Sequence, residues 1–260
     1  MNTLRAGWII TLRDLAHWVR QPWTPVFGLL FTIMLLLVFG FLFGGAITVP
    51  GGGDYITFLL PGMMALSMLF GVEATTTTMA ADARKGITDR FRSLPIGSAA
   101  VSLGRVGADM ANSAVELLVL LVGGLLIGWR VSSDPASVAL AILLLLFLRF
   151  AMLWVGIFLG LALRGEGTTM AVQVLVWPIG FLSTVIVSTE TMPGWLGAIA
   201  AWNPLSATAT AARSLFGNPT GITTGPLADW SVGLAIAWPL LIVAVFLPLS
   251  ARAYRRLRNS

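Results

Sequence analysis

The sequence lacks most of the side chains from which enzymes build metal sites and activated nucleophiles. It contains no cysteine, which excludes disulfides, thiol chemistry and thiolate metal centres. His17 is the only histidine, so zinc pairs, haem ligation and histidine-activated nucleophiles are nearly excluded. The only lysine, Lys85, stands between Arg84 and Gly86, so there is no phosphate-binding G-x-x-x-x-G-K-[ST] loop. We therefore predict a chain that is not itself an enzyme and holds no metal, cofactor or nucleotide of its own.

Charged residues are also scarce. Only 10% of the 260 residues are Asp, Glu, Lys or Arg, and 57% are hydrophobic. Soluble domains carry roughly 25% charged residues, so this composition is typical of a polytopic membrane protein. The net charge is +5, but no basic patch is interleaved with exposed aromatic residues, so nucleic acid is not an expected partner.

Long apolar runs are what the chain has in abundance. Six stretches are long enough to cross about 30 Å of hydrocarbon, which takes roughly 20 residues. They cover about residues 26–47, 54–71 (continuing as a helix towards Asp82), 108–129, 138–163, 170–187 and 230–250. The outer segment 188–229 holds apolar pieces that are too short and too broken by proline to span, which suits two re-entrant helices. The prediction is an all-α fold with a transmembrane domain over residues 25–250.

The two ends of the chain carry much of its positive charge. Residues 1–24 are too polar for a signal peptide, and they place apolar residues on one helical face and basic residues on the other. This pattern predicts a helix lying in the membrane interface. Most of the 16 basic residues fall in this helix, in the loop 82–107 and in the basic tail 251–260. The positive-inside rule therefore places both termini and that loop in the cytoplasm.

Arg149 is the clearest charge inside a predicted span. A central arginine costs about 2.5–3.5 kcal/mol on insertion scales, so it should face a partner or water. Glu116 is the expected partner because a short loop joins the third and fourth spans. Two interpretations of these charges are open: a buried ion pair with a structural role, and a polar patch in a transport path. Glu73 and Gln173 could line the same cavity, or polar groups of this kind could bond within the helices.

Four aromatic residues inside the spans are weaker candidates. Such side chains more often pack in the core or contact lipid, but a transporter of bulky apolar molecules needs an aromatic surface. We therefore add Phe58, Phe70, Trp177 and Phe181 to Glu73, Glu116, Arg149 and Gln173 as candidate residues of a substrate path.

The loop 82–107 is charged, yet its centre has an amphipathic pattern. Ile87, Phe91 and Leu94 recur at helical spacing, after a break at Gly86 and before a stop at Pro95. One interpretation is an ordinary positively charged cytoplasmic loop, which would account for the basic residues. A short amphipathic helix held between two spans is also a shape that a water-soluble partner can grip.

Two sequence blocks resemble the type-2 ABC exporter permease family, and most closely its daunorubicin-resistance and antibiotic-efflux subgroup. The first block is Asp82, Lys85-Gly86, Asp89-Arg90, Arg92-Ser93-Leu94-Pro95-Ile96, Gly104-Arg105 and Ala108-Asp109. The second is Phe181-Leu182-Ser183, Met192-Pro193-Gly194-Trp195-Leu196, Asn203-Pro204-Leu205 and Arg213. The resemblance covers essentially the whole chain. The chain departs from the pattern at Glu190, where relatives tend to be more apolar, and this implies a different outer exit.

The resemblance implies a multi-pass permease of a bacterial plasma membrane. Two such permeases, identical or related, would pair with two cytosolic ABC ATPase subunits that bind ATP and Mg²⁺, and would export a small amphipathic drug or lipid-like substrate. A coupling helix would contact the ATPase through Ile87, Thr88, Asp89, Arg90, Phe91, Arg92, Leu94 and Pro95. The alternatives are an ion- or proton-coupled secondary transporter with Glu73, Glu116 and Arg149 as its relay, a purely structural membrane subunit, and export of lipid or polysaccharide.

Overall fold

The computed structural model describes residues 23–84, 98–162 and 166–259. Within these ranges all regular structure is helical, as predicted. The helices are α1 (Trp23–Leu37, continued by a π-helical turn over Val38–Leu42), α2 (Tyr55–Arg84), α3 (Ser98–Leu126), α4 (Pro135–Ala162), α5 (Glu166–Phe181), a 3-10 turn (Thr189–Thr191), α6 (Gly194–Ala201), α7 (Pro204–Phe216) and α8 (Pro226–Asn259). The predicted interfacial helix of residues 1–24 lies almost entirely outside the described residues.

Four helices are long and apolar enough to cross a membrane by length and composition. Their spanning parts are Tyr55–Asp82, Val106–Leu126, Pro135–Ala162 and Pro226–Tyr254, which correspond to the second, third, fourth and sixth predicted spans. The first and fifth correspond to shorter apolar helices, Leu29–Leu42 and Thr169–Phe181. The fifth predicted span, 170–187, extends too far, because helix α5 contains Pro178 and ends at Phe181.

Helix boundaries follow local signals in the sequence. Asp134 caps α4, since its carboxylate accepts hydrogen bonds from the backbone N–H of Ala136 and Ser137 at 2.9 and 3.0 Å. Hydrogen bonds from the hydroxyl and the backbone N–H of Ser137 hold the pKa of Asp134 below its ordinary value. Helix α7 begins after Asn203 and ends at Gly217, which adopts the left-handed conformation (φ 71°). The segment between α5 and α8 thus forms two short helices, as predicted.

Helix α2 is the central element of the bundle. It packs against α4, α5 and α7, and most of its side chains from Phe58 to Leu69 are buried. Close approach to α4 depends on Gly156 and Gly160, where an added Cβ would lie 2.9 Å from the Val72 carbonyl oxygen and 2.7 Å from the Thr76 carbonyl oxygen. Small residues four positions apart allow two helix backbones to approach in this way. Helix α2 therefore contacts α3, α4 and α5, which carry the other candidate residues of the substrate path.

Candidate functional site

The predicted coupling helix lies outside the described residues. Helix α2 ends at Arg84 and α3 begins at Ser98, so the structure shows the two helices that flank the loop. The residues concerned are Ile87, Thr88, Asp89, Arg90, Phe91, Arg92, Leu94 and Pro95. Their proposed contact with an ATPase stays a prediction.

Arg149 lies at the junction of α2, α3 and α4. The residue is only 4% exposed, and its guanidinium fills the space beside Gly71, where a Cβ would fall 0.8 Å from Nη1. Nε donates a hydrogen bond to the Ser113 hydroxyl at 2.9 Å, and Nη2 lies 3.9 Å from a carboxylate oxygen of Asp109. Nη1 has no hydrogen-bond partner among the described residues. Arg149 is thus buried and charged but incompletely satisfied.

The ion pair of Arg149 is therefore with Asp109 and not with Glu116. Asp109, Ser113 and Glu116 recur at i, i+4 and i+7, so all three lie on one face of α3. Glu116 interacts electrostatically with Arg149, but it forms no ion pair within 4 Å in the described part of the chain. The Thr75 hydroxyl of α2 also donates to the Asp109 carboxylate, at 3.1 Å. Asp109 thus joins α2 and α3, the two helices on either side of residues 85–97.

Glu73 lies in a different place, on the side of α2 that faces α5. Its carboxylate accepts a hydrogen bond from the Gln173 side chain of α5. Glu73 is partly buried and Gln173 is exposed. No basic side chain forms an ion pair with Glu73 in the described ranges. The polar residues predicted to share one cavity are therefore divided between the Arg149 cluster and this α2–α5 seam.

Three of the four aromatic candidates lie in the same seam. The ring of Trp177 packs against Phe70 and Phe181, with centroid separations of 4.9 and 5.8 Å. Phe31 of α1 packs edge-on against Trp177 at 5.4 Å. Beside these rings is a shallow cleft that encloses only about 10 Å³, lined by Leu35, Phe39, Leu66, Trp177, Gly180, Phe181 and Ile186. The cleft is wholly apolar, and the Glu73–Gln173 pair lies about one helical turn from its aromatic rings.

Phe58, the fourth aromatic candidate, lies elsewhere and is only 1% exposed. The guanidinium of Arg213 stacks over its ring at 3.6 Å from the centroid. Arg213 is itself fully buried, and it donates hydrogen bonds to the carbonyl oxygens of Phe58, Thr184 and Val185 at 2.7, 2.8 and 2.9 Å. The arginine thus satisfies irregular backbone after α5. Composition did not indicate this role, because its acceptors are main-chain atoms.

Further hydrogen bonds hold the outer segment together. The Asn203 amide donates to the carbonyl oxygens of Ile179 and Leu182 at 2.8 and 2.7 Å, and so completes the end of α5. The Trp129 indole donates to the Asn218 side chain at 2.8 Å. Glu190 accepts hydrogen bonds from the backbone N–H and the hydroxyl of Thr223, and these bonds hold the pKa of Glu190 below its ordinary value. Glu190, the residue that departs from the family pattern, therefore connects two parts of the segment 188–229 through its hydrogen bonds with Thr223.

Long apolar helices with ionisable groups buried between them define an integral membrane protein. Residues 5–216 match the ABC-2 type transporter family, and the chain belongs to that family. This confirms the resemblance seen in the two sequence blocks.

Curated relatives agree with the family assignment. The chain is 35% identical over 230 residues to a daunorubicin resistance ABC transporter permease protein of Streptomyces coeruleorubidus, covering 87% of this chain and 77% of that protein. It is 23% identical over 248 residues to a Mycobacterium tuberculosis protein named as a probable doxorubicin resistance ABC transporter permease, covering 89% and 85%. Both relatives are named as permeases.

Proposed function

We propose that the chain is the membrane subunit of an ATP-driven exporter, which moves an amphipathic drug or lipid-like substrate out of the cytoplasm or inner leaflet. The observation that carries this proposal is the match to the ABC-2 type transporter family, together with the 35% identity to a daunorubicin resistance permease. The seam between α2 and α5 supports it, because an exposed apolar surface that includes Phe181 lies beside a polar pair, and such a surface suits contact with an amphipathic molecule.

The energy would come from a separate cytosolic ATPase that binds ATP and Mg²⁺, because this sequence has no phosphate-binding loop. Residues 87–95 would contact that ATPase. The hydrogen bond between Thr75 of α2 and Asp109 of α3 supports a coupling role for this region, since it joins the two helices on either side of the loop. A displacement of the loop would reach both helices together.

The topology we propose has six membrane-spanning helices and cytoplasmic termini. The positions of the basic residues support this orientation. Helices α6 and α7 would enter the outer leaflet without crossing it. Irregular backbone is tolerated at membrane depth only where protein satisfies its polar groups, and Arg213 and Asn203 do this for the segment after α5. A second permease, identical or related, would complete the pathway in a bacterial plasma membrane.

The proposal is tested by co-purifying the chain with a candidate cytosolic ABC ATPase and reconstituting both in proteoliposomes. We expect substrate-stimulated ATP hydrolysis and outward transport that continues when ionophores collapse ion gradients. Transport that requires a gradient and ignores ATP would instead establish the secondary-transporter alternative. A complex that hydrolyses ATP but moves nothing would indicate a structural subunit.

The coupling assignment is tested by Phe91→Asp, with Phe91→Leu as the matched control. A carboxylate on the apolar stripe should disrupt docking in an ATPase cleft, whereas leucine keeps the stripe apolar. We expect Phe91→Asp to insert normally and to lose substrate-stimulated hydrolysis. Normal co-purification and export by Phe91→Asp would refute a coupling role for this residue.

A further inference from the structure

Helix α8 continues past the part of it that is apolar enough to cross a membrane. That part ends at Tyr254, yet the helix extends to Asn259. The sequence has no acidic residue between Asp229 and Ser260. Four arginines lie near the C-terminal end of the helix: Arg252, Arg255, Arg256 and Arg258. The end of α8 is therefore a regular and strongly basic helix.

Contacts with the rest of the bundle fix the position of this end. Ser250 is fully buried, and its hydroxyl donates a hydrogen bond to the carbonyl oxygen of Trp154 in α4 at 3.1 Å. One turn further along, the Tyr254 hydroxyl donates to the sulfur of Met79 in α2 at 3.6 Å. Arg252 lies between these two contacts in the sequence, and it is exposed. One face of α8 thus packs on the bundle at this level, and Arg252 lies outside that face.

The helical register places two further arginines on the side of Arg252. Residues at i+3 and i+4 share one face of an α-helix, so Arg255 and Arg256 follow Arg252 in one stripe, which we call the arginine stripe. Ser250 and Ala253, which pack on the bundle, belong to the other side. A signal for membrane topology requires basic residues but no particular register. The common stripe therefore indicates more than a topology signal.

The length of α8 indicates the depth of the arginine stripe in a membrane. Trp230, near the start of the helix, is 71% exposed, and tryptophan is enriched at membrane interfaces. Twenty-two residues separate Trp230 from Arg252, which is about 33 Å of helix, and the hydrocarbon core is about 30 Å thick. Arg252 therefore falls at the opposite interface, and Arg256 about 6 Å beyond it. Both positions lie in the layer of the lipid head groups.

We propose that the arginine stripe is a binding site for the phosphate groups of anionic phospholipids, in the leaflet at the C-terminal end of α8. In the proposed topology this is the cytoplasmic leaflet. A guanidinium group matches a phosphate through two parallel hydrogen bonds. A lipid with a net negative charge adds an attraction to the basic segment that a zwitterionic lipid lacks. This site goes beyond the proposed export function and does not depend on it.

Native mass spectrometry of the full-length chain tests the site, with phosphatidylglycerol as the anionic probe and phosphatidylcholine as the zwitterionic probe. The test variant replaces all three arginines of the stripe by glutamine. The matched control makes the same change at Arg5, Arg13 and Arg20 and so removes the same charge from the other end of the chain. We expect the test variant to bind phosphatidylglycerol about tenfold more weakly than wild type. Its binding of phosphatidylcholine should be unchanged, and the control should resemble wild type.

Three outcomes would overturn the site. They are equal affinity of wild type and test variant for phosphatidylglycerol, an equal loss in the test and control variants, and equal affinity of wild type for the two lipids. The first outcome, combined with loss of a co-purified ABC ATPase, would assign the stripe to that partner instead. Arg252→Gln alone changes one exposed side chain and should fold normally, and it should weaken phosphatidylglycerol binding about threefold. Export is not measured here, so its failure would leave this result unaffected.

Discussion

Two buried arginines contact the same helix in different ways. Arg213, from α7, lies against the Tyr55 end of α2 and places its donors on three main-chain oxygens. Arg149, from α4, lies against the middle of α2 and has one hydrogen bond at 2.9 Å, one ion pair at 3.9 Å and one donor without a partner among the described residues. Each arginine fits beside a glycine of α2, Arg213 at Gly62 and Arg149 at Gly71.

We propose that this difference separates a structural role for Arg213 from a functional role for Arg149. Carbonyl oxygens do not titrate and do not leave, so the Arg213 contacts are permanent while the outer segment is folded. The Arg149 cluster contains two carboxylates and a donor without a partner among the described residues, and it joins the helices on either side of residues 85–97. We infer that Arg213 stabilises the fold, and that Arg149 can exchange hydrogen-bond and ion-pair partners as α2 and α3 move.

Replacing Arg213 should have the largest effect on stability. Arg213→Leu leaves buried carbonyl oxygens unsatisfied, and hydrogen bonds to charged groups contribute about 1.5–3 kcal/mol each, so we expect a loss of about 3–5 kcal/mol. Arg213→Lys should rescue little, because an ammonium lacks the planar fork that reaches all the acceptors. Unfolding in detergent, followed by size-exclusion chromatography after heating, measures the loss. A stable Arg213→Leu protein would contradict the structural role.

The two glycines should differ when each is replaced by alanine. A Cβ at Gly62 would lie 2.6 Å from the Val185 carbonyl oxygen, which is main chain and cannot move easily. A Cβ at Gly71 meets the end of the flexible Arg149 side chain, which can move away. We expect Gly62→Ala to cost about 1–3 kcal/mol of stability. Gly71→Ala should cost less stability but impair transport, because it displaces Arg149.

These alanine variants are compared in one thermal-unfolding series, with Gly194→Ala as the control, since no atom lies within 4 Å of a Cβ there. Transport is measured on the same preparations. Equal destabilisation by Gly62→Ala and Gly71→Ala, with transport intact in Gly71→Ala, would remove the distinction between the two arginines.

A double-mutant cycle at Arg149 and Asp109 should show a smaller coupling. Arg149→Met leaves two partly buried carboxylates, Asp109 and Glu116, without their cation, and Asp109→Asn removes one of them. Contacting residues in such networks couple by about 0.5–3 kcal/mol, and the 3.9 Å separation places this pair near the lower end, at about 1 kcal/mol. The same cycle with Glu116→Gln is the comparison. Stronger coupling to Glu116 would restore the pairing predicted from the sequence.

The smallest expected effect is a pH dependence confined to the outer segment. The pKa of Glu190 is lowered in the folded chain by its hydrogen bonds from Thr223, so its contribution to stability is present above the ordinary glutamate pKa and is lost as the pH falls through the lowered value. We expect the melting temperatures of wild type and Glu190→Gln to converge in acid and to differ at neutral pH. Arg149→Met should leave that difference unchanged.

The sequence predicted the helices better than the contacts between them. Long apolar runs identified α2, α3, α4 and α8, because hydrocarbon requires about 20 apolar residues per crossing. Prolines correctly marked the broken outer segment. Asp109 was missed as the ion-pair partner, since Asp109 and Glu116 share one face of α3 and periodicity does not report depth along a helix. The acceptors of Arg213 are carbonyl oxygens, which every residue has, so no pattern of residue types could identify them.

The positions of the two glycines on α2 have a mechanical consequence. Gly62 and Gly71 are nine residues apart, which is about 13.5 Å along the axis and about 2.5 turns, so they face opposite sides of the helix. Arg213 of α7 packs against the side with Gly62, and Arg149 of α4 packs against the side with Gly71. A helix held at two heights from opposite directions resists rolling about its own axis, while sliding at the inner contact requires only that Arg149 change partners. A force applied at the Arg84 end would therefore tilt the helix about the Arg213 contact rather than twist it.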